Sequence, residues 1–118
     1  MNEDEKLLAF TETEVFTRQI EKLASSETLF AIQDELLQNP RKGDVIKATS
    51  GARKARIGGD GRGKRGGFRY IYVYLELNER IYLLAFYDKK EQMDLTPQQA
   101  KALGELVRQL KKNYGEIV

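Results

Sequence analysis

Lys54 and Arg56 alternate within "ARKARIG", Arg69 opens "FRYIYVYLELN" one residue in, and Tyr87, Lys89 and Lys90 fall in the later "YDKK". On a strand, Lys54 and Arg56 share a face, because side chains alternate with a period of two. Cations gathered on one face suit phosphates, and arginine grips them bidentately. The charge distribution points the same way. Residues 41–69 carry ten Lys and Arg against two Asp, a balance of +8, while the remainder stands at −6. Such asymmetry is an electrostatic footprint for a polyanion. The chain holds no histidine and no cysteine. That removes Ser-His and Cys-His nucleophilic systems and ordinary zinc sites. Any catalysis rests on carboxylates, Lys, Arg, Tyr, Ser or Thr.

The stretch "IGGDGRGKRGGFRYIYVY" (57–74) nearly spells two nucleotide motifs. Gly58 to Arg65 fits G-x-x-x-x-G-K but ends in arginine where a phosphate loop needs Ser or Thr. Gly61, Gly63 and Gly66 satisfy G-x-G-x-x-G. Both fail on context, since the glycines lead into a β-type run and not into a helix N-terminus. A hairpin loop fits better, with glycines supplying positive φ. Arg62, Lys64 and Arg65 have only Asp60 to balance them, which favours phosphate tracking over mere solubility.

The elements that must position these cations follow from periodicity. A chain of 118 residues with 41% hydrophobic content suits a single domain spanning 1–118. "KLLAF" (6–10) reads as a first strand. A helix follows with Thr11 or Thr13 as cap and Val15, Phe16, Ile20 and Leu23 as its apolar stripe. A second, capped by Ser25 or Ser26, carries Leu29, Phe30, Ile32, Leu36 and Leu37 and ends at Asn39-Pro40. In the strand of "FRYIYVYLELN", Arg69, Ile71, Val73 and Leu75 share one face, and Phe68, Tyr70, Tyr72 and Tyr74 the other. "NER" (78–80) is a turn, and "IYLLAFY" (81–87) an interior strand. Thr96-Pro97 starts a last helix with Ala100, Leu103, Leu106, Val107 and Leu110 inward, and Lys111 and Lys112 at the negative end of its dipole. The order β-α-α-β-β-β-α, rich in antiparallel pairing, makes an α+β fold. No apolar run reaches the roughly 18–20 residues of a membrane span, so a soluble cytoplasmic protein is expected.

The pattern "NPxxGDVI…SGARKARI…GxGKRGGFRYIYxYL…IYLLxFYxKxExxDLT" resembles the RelE/HigB-type toxins of type II toxin–antitoxin modules. It looks closest to the HigB-like, phage-derived branch. The resemblance implies a ribosome-dependent mRNA endonuclease that enters the A site and cuts the codon there. It implies a cognate antitoxin, typically a helix-turn-helix protein, with operator DNA bound only through the antitoxin complex. It implies no cofactor, no metal and no membrane partner.

Carried over by position, Lys54 and Arg56 would line the scissile phosphate, with Lys54 the base if neighbouring cations depress its pKa. Arg69 would stabilise the transition state, and Lys89 would occupy the place of a further family cation, with Lys90 beside it. Tyr87 would stack on a base or assist proton transfer. Arg62, Lys64, Arg65 and Lys90 would hold RNA or ribosome phosphates. Some relatives place a tyrosine near the closing segment, and "EQMDLT" has none. Arg53, facing away from Lys54, reads as structural, paired with a carboxylate. Two alternatives share the scaffold or the charge: a ParE-type toxin directed at gyrase, and a non-catalytic RNA-binding module.

Overall fold

The computed structural model describes residues 7–58, 67–91 and 94–117. Its elements are β1 (Ala9–Glu12), α1 (Glu14–Leu23), α2 (Ser26–Gln38), β2 (Asp44–Val45), β3 (Arg53–Ile57), β4 (Phe68–Leu75), β5 (Arg80–Asp88) and α3 (Pro97–Asn113). The strands form one sheet in the order β1-β5-β4-β3-β2, antiparallel except where β1 runs parallel to β5. The expected α+β class and element order hold, with the two-residue β2 as an unforeseen addition. The first strand lies at Ala9–Glu12, later than "KLLAF" predicts, because its register is set by pairing Ala9 with Arg80. No helix among the described residues is long and apolar enough to cross a membrane.

The alternation in β4 builds two cores, one on each face of the sheet. Phe68, Tyr70 and Tyr72 pack with Phe16 and Ile20 of α1 and Ile32 and Leu36 of α2. Ile71, Val73 and Leu75 pack on the opposite face with Val107 of α3. Parts of the predicted helical stripes are nonetheless exposed: Val15, Phe30, Leu37 and Leu106 lie 55%, 60%, 37% and 41% open. These helices each rest one side on a flat sheet, so the apolar arc is narrower than the sequence stripe.

Caps fix the helix starts. The Thr13 hydroxyl accepts from Phe16 N at 3.1 Å. Thr96 and Gln99 form a reciprocal capping box ahead of Pro97. The Lys111 ammonium, at the helix end predicted for it, donates to the Ser50 carbonyl at 2.6 Å and ties α3 to the turn before β3.

The β4–β5 pairing contains a bulge. Ile71 faces Ala85 while Tyr72 faces Leu83, so Leu84 is an extra residue in β5. Before the bulge Ile81 and Leu83 face α1 and α2; after it Phe86 does. The bulge thereby puts Tyr87 opposite Arg69, on the face that a strict alternation would deny it. α1 holds this irregularity in place. The Thr13 hydroxyl donates to the Leu84 carbonyl at 3.0 Å, and Phe86 N donates to Gln19 Oε1 at 2.8 Å.

Candidate functional site

At the β2 edge of the sheet, on the α3 side, the strands bring four elements' worth of charge together. Arg56 of β3 stands directly opposite Arg69 of β4, and Arg69 directly opposite Tyr87 of β5. Directly opposed residues share a face. Asp44 of β2 is likewise opposite Lys54 of β3. The result is an open depression of about 620 Å³ lined by Lys42, Asp44, Lys54, Ala55, Arg56, Arg69 and Lys89.

Arg69 lies at its floor. The residue is 6% exposed, and its guanidinium donates to the carbonyl of neighbouring Phe68 at 3.2 Å. Among the described residues no carboxylate pairs with it. Burial, and then the nearby Arg56 charge, hold its pKa below the ordinary arginine value. A buried arginine with no carboxylate partner among the described residues carries a desolvation cost that an anion would offset.

Lys54 is placed differently. Its ammonium donates to Asp94 Oδ1 at 2.8 Å, just ahead of α3. That hydrogen bond holds the Asp94 carboxyl below the usual carboxylate range. Lys54 therefore has a carboxylate partner, Asp94, that the sequence reading did not foresee. Lys42 is paired with Glu35.

Tyr87 is 7% exposed and packs in the core layer beneath α3 with Leu84 and Val107. Its ring is thus turned into the protein and offers little surface for a base to stack on. Its hydroxyl has no hydrogen-bond partner among the described residues. Burial pushes the phenol's pKa up, with Lys54 and Arg69 pulling against that shift.

Of the predicted site residues, the structure thus gathers Lys54, Arg56, Arg69 and Lys89 around one depression, with Tyr87 behind it. Lys90 is exposed and lies outside the lining; its backbone N–H donates to Asp88 Oδ1 at 2.9 Å. Arg62, Lys64 and Arg65 lie outside the described residues. Arg53 is structural as expected, but its partners are the carbonyls of Arg41 and Gly43, at 3.2 and 2.7 Å, and not a carboxylate. The sequence reading missed Lys42, Asp44 and Asp94. Asp44 had a signal: besides Asp60, it is the only acid in the basic block 41–69.

The chain is thus a small α+β domain with a cationic depression on its sheet. The particular family is shown by comparison: residues 10–116 match the family model of the RelE toxin of RelE/RelB toxin–antitoxin systems, and the chain belongs to that family. Solved structures with the same fold include a double arginine-to-alanine mutant of Escherichia coli RelE in the free state. That match has a TM-score of 0.55 at 16% identity, over 73% of this chain and 87% of the other. The toxin in the intact E. coli RelBE toxin–antitoxin complex matches at TM-score 0.55 and 16% identity, over 70% and 96%. The isolated E. coli RelE toxin matches at 0.55 and 14%, over 85% and 99%. At these identities the likeness speaks for the fold.

Proposed function

We propose that this toxin is a metal-independent, ribosome-dependent endoribonuclease that cuts mRNA in the ribosomal A site and so inhibits translation. The observation that carries the reading is Arg69, a buried residue with no carboxylate paired to it among the described residues, at the floor of a depression walled by Arg56, Lys54 and Lys89. Cleavage by the ribose 2′-hydroxyl passes through a phosphorane whose extra charge such groups stabilise. Guanidinium forks match its equatorial oxygens, and burial strengthens the interaction relative to water. Arg56 and Arg69 take the transition-state charge; Lys54 and Lys89 position the phosphate. Tyr87 supports Arg69 from behind. Arg62, Lys64, Arg65 and Lys90 grip ribosomal or messenger phosphates. We take the chain to lie nearest the HigB-like branch, on the likeness of its sequence pattern.

The partner of such a toxin is a cognate antitoxin, as RelB is for RelE in the E. coli complex. We take it to be a helix-turn-helix protein that alone contacts operator DNA. The toxin itself then works in the cytoplasm, on ribosomes.

The test is primer extension on one message in translated and untranslated form, in a translation extract given the purified chain. Cuts confined to the translated message are expected. Equal cutting of both forms removes the ribosome from the reading, and gyrase inhibition without cutting moves the chain to the ParE-type activity.

A further inference from the structure

Asp44 stands in the wall of the cationic depression, in antiparallel register with Lys54, so that both side chains leave the same face. Its position is fixed from behind. The Gly43 N–H donates to the Tyr72 hydroxyl at 2.9 Å, and the Gly43 carbonyl accepts from Arg53 at 2.7 Å. A Cβ at residue 43 would fall 2.9 Å from a Tyr72 ring carbon, so glycine alone lets this turn approach the strand so closely. Among the described residues, no hydrogen bond or ion pair engages the Asp44 carboxylate.

The other polar groups of the lining are Lys42, Lys54, Arg56, Arg69 and Lys89. At neutral pH an ammonium or guanidinium can only donate. Lys54, the amine best placed by the sequence pattern, already donates to Asp94. An ionised carboxylate only accepts. Among the described residues, Asp44 is therefore the side chain of this lining equipped to receive a proton.

We infer that Asp44 is the general base of strand cleavage, taking the proton of the attacking 2′-hydroxyl; the inference rests on the endoribonuclease reading above. The 2′-oxygen bonds to phosphorus as its proton passes to an Asp44 oxygen. The P–O5′ bond breaks, its electron pair leaves on the 5′-oxygen, and a lining ammonium gives that oxygen a proton. A 2′,3′-cyclic phosphate and a 5′-hydroxyl result. The amine then regains a proton from solvent and the Asp44 carboxyl releases one, so the step balances without a co-reactant. The charged and titratable groups around Asp44 are Lys42 from its own turn, Lys54 and Arg56 from β3, Arg69 and the Tyr72 phenol from β4, and Lys89 past β5.

The experiment compares the wild-type chain, Asp44→Asn and Asp44→Glu on programmed ribosomes, following single-turnover cleavage of a labelled message across acid and neutral pH. Ribosome binding and thermal melting are measured on the same preparations. Asp44→Asn should bind and melt like the wild type yet cleave about 10²–10⁴-fold more slowly, the range of a general base, with the acid limb of its pH profile gone. Asp44→Glu should cleave at an intermediate rate and keep that limb. Wild-type rate and profile in Asp44→Asn overturn the inference and leave the endonuclease reading standing. Loss of ribosome binding in step with cleavage makes Asp44 a docking group and overturns it too. A wild-type chain that cuts nothing overturns both.

Discussion

Arg69 is the residue where the proposed function and the stability of the fold pull in opposite directions. It is 6% exposed, directly opposite the like-charged Arg56, and no carboxylate pairs with it among the described residues. Desolvation and like-charge opposition both oppose folding. Methionine fills a similar volume without a charge. Arg69→Met should therefore leave the chain at least as stable as the wild type, by up to about 2 kcal/mol more. The same change should slow cleavage about 10²–10³-fold, the loss expected when one preorganised donor to the developing charge goes. A urea midpoint alongside the cleavage rate checks both. A clear fall in the midpoint would make Arg69 a structural residue instead. The hydroxyls of Tyr70 and Tyr87, without hydrogen-bond partners among the described residues, follow the same pattern of tension, but of the two only Tyr87 lies opposite Arg69.

Between residue and molecule stands the bulge in β5, the device that aims Tyr87. Its exposed backbone groups are satisfied by α1, through the Thr13 hydroxyl on the Leu84 carbonyl and Gln19 on Phe86 N. Thr13 is also the cap of α1. Thr13→Ala should cost about 1–2 kcal/mol, the usual loss of a cap, and should slow cleavage although residue 13 touches no part of the depression. Thr13→Ser, which keeps the hydroxyl, should restore both. Unchanged cleavage in a destabilised Thr13→Ala chain would disconnect the bulge from the site. The bulge also marks the limit of what the sequence could tell. Both faces of β4, the cap at Thr96 and the shared face of Lys54 and Arg56 were legible, because each rests on local alternation or local hydrogen bonding. The shift at Leu84 was not, since "IYLLAFY" is apolar on both faces and carries no phase. Asp44 and Asp94 were hidden for a related reason: one joins the site through a two-residue edge strand, the other through an ion pair spanning forty residues of chain.

For the whole molecule, the asymmetry of +8 in residues 41–69 against −6 elsewhere becomes a directed surface. The depression lies on the α3 side of the sheet, while α1 and α2 cover the other. Not every cation there is equally free to meet RNA, for Lys42 is held by Glu35 and Lys54 by Asp94. On the proposed reading, Arg56, Arg69 and Lys89 remain to displace counterions from RNA phosphates. Each phosphate neutralised on a single strand contributes about −0.7 to the slope of log affinity against log salt concentration. Three such contacts set a slope of about −2 for a single-stranded RNA, and any further phosphate contact can only steepen it. Arg56→Gln should flatten the slope by about 0.7. Arg18→Gln, on α1 and paired with Glu14, should leave it unchanged although it removes the same formal charge. Equal flattening by both substitutions would mean that net charge, and not this surface, draws the RNA.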